Sequence, residues 1–431
     1  MRGAIACVLA LAAAVDAGAA PEPRSEDAAA FCRFVADEYA YFDLKATDWP
    51  AACAALAEDT RAPMERAAFV ARLEQALREL YDAHAHLGTN TPSSPRLVPS
   101  QADVIAAWRG ERAVVTAVRR GSPAARAGLR AGDEIVAIDG EPVAQAARPF
   151  EPRHLRRADP AARDAALEIA LAGRHDRPRQ RLSLRTPQGL RELELDRGDT
   201  PARAPLSFRR TGRVGIVQVN DALGDMALVA AFDAALDAAP TPAALVIDLR
   251  DTPRGGTSTV ARGLLSRLVA TMRPYQRHEA VGEVRSSGIR RVWVEQVMPR
   301  GVPFRGPVVV LVGRWTGSMG EGLAIGLNGA IGAPVLGAPM ARLLGALGEA
   351  TLPQSRIVVR VPAEKLFHVD GTPREAFVPC PLDADTGSDA DDPALEAAVA
   401  LAERLPHRPA ATRAARGCPP PPPLHRPRSP G

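Results

Sequence analysis

Ser318 stands between the apolar run Pro307-Val308-Val309-Val310-Leu311-Val312 and Met319-Gly320-Glu321-Gly322, which opens a helical pattern. A buried strand feeding a helix presents such a serine at the strand's C-terminal edge. There it meets N–H groups without intrahelical partners and a partial positive charge. An acyl-transfer nucleophile needs that setting, because its oxyanion must be held. The same position also suits a plain N-cap, for which serine is favoured. A second segment follows the same logic. Leu245-Val246-Ile247-Asp248-Leu249 runs on to Gly255-Gly256. Adjacent glycines let backbone N–H groups face an anion, or simply make a tight turn.

Serine is a weak nucleophile without a base. Among 54 Lys and Arg residues only Lys45 and Lys365 are lysines, and guanidinium stays protonated. Imidazole titrates near neutrality and is the other option. His84 and His86 lie close together in Asp82-Ala83-His84-Ala85-His86-Leu87. Two positions apart, they share a face on a strand but not on a helix. His154, His175 and His278 lie in Arg-rich stretches and read as solvated. Asp248 and Arg250 read as residues that hold the sheet edge.

The chain that must position these residues has 431 of them, with 46% hydrophobic, 24% charged and a net charge of +4. Such composition excludes a wholly disordered chain, a collagen and a polytopic membrane protein. A small basic surplus over this length argues against nucleic acid, which needs clustered Lys and Arg. Arg2, the apolar Ala4 to Val15 and the small residues Ala17 to Ala20 read as a signal peptide over 1–20, cut after Ala19 or earlier. The apolar segment is too short to span a bilayer. The chain is therefore expected to be periplasmic or secreted, with no integral membrane segment after signal removal. Losing Cys7 leaves Cys32, Cys53, Cys380 and Cys418, and an oxidising compartment favours pairing. Cys32 and Cys53 flank a helical hairpin and are expected to be bonded. Cys380 and Cys418 either pair or stay free thiols. No Cys/His cluster has zinc-ligand spacing, and no metal or nucleotide cofactor is expected.

The organisation reads as a helical segment over 21–95, a second unit over 100–198, an α/β core over 205–405 and a disordered Pro/Arg-rich tail over 406–431. Apolar spacing predicts helices over Ala28 to Tyr39 and Met64 to Tyr81, within a stretch of helical character from about 26 to 87. In the second unit, Ala113 to Val118 is a strand. Gly121-Ser122-Pro123-Ala124-Ala125-Arg126-Ala127-Gly128-Leu129 is a turn and short helix. Gly132 to Val143 is two strands about an Asp-Gly turn. This run resembles a PDZ domain of the kind found in bacterial proteases. The resemblance implies strand addition of extended peptides, or a domain that packs on its neighbour to cap or gate a site. In the core, the βα alternation implies right-handed crossovers.

Taken together, these segments resemble the carboxyl-terminal processing (tail-specific) serine protease family. The resemblance rests on Asp248-Leu249-Arg250 with its glycine pair, on Ser318 and Glu321 three residues apart, and on Gly337. It implies a crotonase/ClpP-like α/β core with an N-terminal helical domain and an inserted PDZ domain. Many members pair the serine with a lysine about 25 residues later, but Leu343 stands there. The chain is more similar to the tricorn-core branch, which uses Ser, His and Glu. By that resemblance Ser318 is the nucleophile, His84 the base and Glu375, in Gly371 to Pro379, the residue that orients it directly or through another group or else only forms a structural salt bridge, with His86 as the alternative imidazole. Met319 and Gly255 or Gly256 would hold the oxyanion. The implied activity is that of an endopeptidase on extended polypeptides, including C-terminal tails. The same fold without a working site would be a peptide-binding scaffold.

Overall fold

A computed structural model describes residues 24–186, 189–197, 203–382, 392–408 and 418. The signal-peptide reading of 1–20 and most of the tail over 406–431 lie outside these residues. No helix among the described residues is long and apolar enough to cross a membrane.

Three helices come first: α1 (Ser25–Glu38), α2 (Trp49–Asp59) and α3 (Arg66–Arg78). The apolar spacing locates α1 and α3 but does not reach α2. That helix starts at Trp49-Pro50, with Asp48 accepting the Ala51 N–H at 3.2 Å, a proline-plus-cap signal. The Cys32–Cys53 disulfide ties α1 to α2. The helical character does not extend to residue 87. Asp82 to Ala85 is a turn, closed by the Ala85 N–H on the Asp82 carbonyl, and His86–Leu87 is a short strand, β1. The helices share one apolar cluster with Leu344, Leu352, Val359 and Val361 of the later chain.

The PDZ-like region contains β2 (Val104–Arg109), β3 (Arg112–Val118), α4 (Pro123–Arg126), β4 (Glu134–Ile138), β5 (Glu141–Pro142), α5 (Val143–Ala147), α6 (Pro160–Ala172), β6 (Arg179–Thr186) and β7 (Gly189–Asp196). Its sheet runs β2-β3-β4-β6-β7, with β5 on β4. Leu167 and Leu171 of α6 pack into its core with Val104, Val115 and Leu184.

The core supplies β8 (Leu206–Thr211), β9 (Val214–Val219), α7 (Ala227–Asp237), β10 (Ala244–Asp248), α8 (Ser258–Leu265), β11 (Arg273–Ala280), α9 (Val281–Ser287), β12 (Arg291–Val297), β13 (Val308–Val312), α10 (Met319–Ile331), β14 (Val335–Gly337), β15 (Ala346–Thr351), β16 (Val358–Phe367), β17 (Cys380–Pro381) and α11 (Pro393–Arg404). One sheet runs β17-β14-β13-β10-β9-β8 and is parallel except for β8 on β9. Its central strands are apolar on both faces because both are covered. Val308, Val310 and Val312 pack with Leu323 and Leu327 of α10, whereas Val309 and Leu311 pack with Ala398 and Leu401 of α11. A second sheet, antiparallel throughout, runs β1-β16-β11-β12, with β15 also on β16. Tyr275 of β11 joins the α10 cluster, so α10 is held between the two sheets. Gly326 permits this approach, since a Cβ there would lie 2.6 Å from the Tyr275 ring. The α/β order is the expected one, while the antiparallel sheet was not visible in the sequence.

Cys380 bonds Cys418, resolving the pairing that the sequence leaves open. At the end of β10, Arg250 bonds Asp248 at 2.7 Å and Asp392 at 2.7 Å. It ties the strand end to the start of α11, the sheet-edge role expected of it.

Candidate active site

Ser318 follows β13 and a five-residue loop, at φ 51° and ψ −113°. This left-handed backbone is costly for a residue with a Cβ, by about 1–3 kcal/mol. Its side chain makes no cap bond to α10, unlike a plain N-cap serine. The surroundings enforce the turn. Thr316 Oγ1 donates to the Leu249 carbonyl at 2.8 Å, and the Gly313 N–H donates to Thr316 Oγ1 at 3.0 Å. The Gly317 N–H reaches the Thr252 carbonyl at 3.2 Å, and the Thr252 N–H reaches the Trp315 carbonyl at 3.0 Å.

The glycine pair lies against the serine. A Cβ on Gly255, whose φ is +68°, would stand 2.5 Å from Ser318 Cβ, 2.9 Å from Ser318 Oγ and 2.7 Å from the Met319 nitrogen. A Cβ on Gly256 would overlap the Leu223 carbonyl carbon at 2.0 Å. The Gly255 N–H donates to the Thr252 carbonyl at 3.2 Å. Gly256 lines the same cleft as Ser318. Met319 is the first residue of α10, so its N–H has no acceptor within the helix.

His84 sits in the Asp82 turn, its N–H donating to Asp82 Oδ1 at 2.9 Å. Tyr39 holds the carboxylate from the other side, O–H to Oδ2, at 2.8 Å. The His84 ring is buried. Its Nδ1 lies 2.7 Å from the Leu344 carbonyl oxygen. A carbonyl only accepts, so Nδ1 carries the proton and Nε2 keeps its lone pair. Burial pushes the ring down to about 4, with the Leu344 carbonyl opposing, so the ring is neutral at pH 7. His86 Nδ1 lies 2.9 Å from the His84 carbonyl oxygen, and β1 pairs His86 with Arg360 of β16. Both histidines line the cleft that contains Ser318, Gly256 and Leu343.

Glu321 and Arg374 lie beneath the serine. Glu321 accepts the Arg342 N–H at 2.6 Å and pairs with Arg374 at 2.9 Å. Arg374 also donates to the Ser318 carbonyl. Burial raises the Glu321 carboxyl, while Arg374 opposes the shift. Glu375, in the turn Arg374–Ala376, is half-buried. After burial, its charge is the largest influence raising the Tyr41 hydroxyl. The Tyr41 ring lies against Gly345, next to Leu344. The acceptor on His84 Nδ1 is thus a backbone carbonyl and not the Glu375 carboxylate expected from the sequence. Leu343, in place of a lysine, packs on Gly317. Lys45 donates to the Tyr81 carbonyl, Lys365 pairs with Asp43, and neither lines the cleft.

Leu344, Tyr39 and Arg374 were not singled out from the sequence. A carbonyl role leaves no trace in residue type. Arg374 stands beside Glu375, and its match to buried Glu321 is visible only in three dimensions.

Residues 213–377 match the model of peptidase family S41 and residues 114–148 that of a PDZ domain. The chain resembles the solved structure of mature CPAF at TM-score 0.56 and 16% identity, over 84% of this chain and 92% of that one. It also resembles the photosystem II D1 C-terminal processing protease at TM-score 0.54 and 19% identity, over 84% and 94%. At these identities the likeness is one of fold. The comparison with curated proteins finds no match. Residues 213–377 thus resemble a peptidase family S41 core, and residues 114–148 a PDZ domain.

Proposed function

We propose that the chain is an exported serine endopeptidase of the Ser/His/Glu type, with a crotonase/ClpP-like core, acting through an acyl-enzyme on Ser318. The observation that carries this reading is the strained Ser318, packed on Gly255 in a cleft shared with a neutral, Nδ1-anchored His84. His84 Nε2 takes the hydroxyl proton as Oγ attacks the scissile carbonyl carbon. The Leu344 carbonyl favours the imidazolium that forms. The Met319 and Gly256 N–H groups receive the oxyanion. The imidazolium then returns its proton to the leaving amine as the C–N bond breaks. Water, deprotonated by the same nitrogen, releases the acid and restores the serine. Glu375 supports the imidazolium through the Tyr41 side. His86 holds the His84 carbonyl and serves as a positioning residue.

Substrates are extended polypeptides, including C-terminal tails. The cleft measures about 1740 Å³, more than the ~300–1,000 Å³ of small-molecule sites. Two disulfides support export. A fluorophosphonate probe tests the reading. Label on Ser318 that vanishes in Ser318→Ala and falls at least ~1,000-fold in rate in His84→Gln supports it. An unlabelled, folded wild-type chain rejects it in favour of a peptide-binding scaffold.

A further inference from the structure

The PDZ domain and the core meet at the loop that leads into Ser318. Trp315 is buried there, 2% exposed, and its indole N–H donates to the Ala102 carbonyl at 2.9 Å. Its ring packs with Val98, Ala102, Ile105, Ala117 and Ala172, from the PDZ side of the boundary. Neighbouring Arg314 pairs with Glu168 of α6 at 3.3 Å and donates to the Met340 carbonyl at 3.0 Å. Both side chains stay about one-fifth exposed, and burial raises the Glu168 carboxyl to about 7 although Arg314 opposes the shift.

This contact adjoins, through Ile105 of β2, the sheet edge where an extended peptide would be added as a strand. β2 ends the sheet, and α6 runs beside it. Near one end of this edge, α6 already supplies the partners. The Trp108 N–H donates to Asp164 Oδ1 at 2.7 Å, and its indole donates to the Arg163 carbonyl at 3.1 Å. At the other end stands Trp315.

We infer that the PDZ domain binds a segment of its own chain: the face formed by β2 and α6 holds the Arg314–Trp315 loop and thereby keeps Ser318 in its strained conformation. The inference rests on the reading of Ser318 as the nucleophile. A costly backbone conformation persists only where its surroundings over-determine it. Thr316 is anchored inside the core, while Arg314 and Trp315 are anchored across the boundary. A buried indole N–H needs its acceptor, so moving the PDZ domain away would free the Trp315 indole and the Arg314–Glu168 pair. Arg314, Trp315 and Glu168 are positioning residues. On this account the domain is a clamp on the nucleophile loop, and substrate alignment falls to the cleft.

The test uses the full chain with Glu168→Gln, which removes the charge opposite Arg314, and Trp315→Phe, which removes only the indole donor. Amide hydrogen exchange over residues 313–320 is expected to rise about tenfold in each. The rate of fluorophosphonate inactivation at saturating probe should fall by a similar factor, with probe affinity and melting temperature unchanged. Glu168→Gln with Arg314→Gln should lose no more than either change alone. Unchanged exchange and unchanged inactivation in both variants would overturn the clamp while leaving the nucleophile intact. Raised exchange in a chain whose wild type takes no label would keep the clamp and reject the nucleophile. Protection of residues 104–109 by an added peptide, with Trp315 still docked, would also overturn it.

Discussion

Arg374 and Glu321 form an ion pair at 2.9 Å directly beneath Ser318, each side chain about 3% exposed. The arginine's second contact is the Ser318 carbonyl, so the pair couples the strained serine to the first turn of α10. Arg374→Leu strands a buried carboxylate and is expected to cost about 3–5 kcal/mol in urea unfolding at pH 7. Adding Glu321→Leu should restore most of that stability without restoring activity. A single variant as stable as wild type would show that the pair is not a structural unit.

The space at Gly255 gives a second expectation. In Gly255→Ala the new methyl would fall 2.9 Å from Ser318 Oγ and 2.7 Å from the Met319 nitrogen. Turnover should drop by about 100-fold or more, the scale of losing an oxyanion donor, with the circular dichroism spectrum unchanged. Retained turnover would move the oxyanion site elsewhere.

The depressed His84 sets the pH response. The ring titrates near 4 when folded, against an ordinary 6.5. His84 therefore stays neutral, and with it as the proposed base kcat/KM should hold its plateau down to about pH 5 before falling as the ring protonates. Stability follows the same shift. The unfolded chain binds this proton at higher pH, so the contribution is complete above 6.5 and is lost between 6.5 and 4, about 3 kcal/mol in all. Urea titrations at pH 7 and pH 4.5 should show a larger acid loss in wild type than in His84→Gln. Equal losses would contradict the buried, neutral ring.

The disulfide between α1 and α2 spans 21 residues of sequence. Closing a loop of that size stabilises by about 3 kcal/mol on chain-entropy grounds. Cys32→Ala with Cys53→Ala should lower the unfolding free energy by that order. A change below about 1 kcal/mol would mean that the shared cluster with β16 alone holds the helices.

The parallel sheet could be read from the sequence because strands covered on both faces are continuous apolar runs, as Val308 to Val312 shows. The PDZ strands were legible from their turn residues. The antiparallel sheet was not, because β11 and β12 carry Arg277, His278, Glu279, Arg291 and Glu295 and show little apolar contrast. At the site, Ser318 and Gly255 were marked by local spacing, and His84 by resemblance to a family motif. The carbonyl that orients His84 belongs to Leu344, 260 positions away, and the pairing of β1 with β16, together with the apolar cluster that Leu344 shares with the helices, brings that part of the chain near. Trp315 and Glu168 looked like ordinary loop and helix residues until the two domains were seen to touch.

The left-handed backbone at Ser318 implies a tension between durability and chemistry. Glycine occupies that region without the side-chain penalty. Ser318→Gly should therefore yield an inert chain that withstands denaturant better than its working parent, by about 1–2 kcal/mol. On the proposed mechanism, this molecule gives up part of its robustness at the one residue on which its reactivity depends.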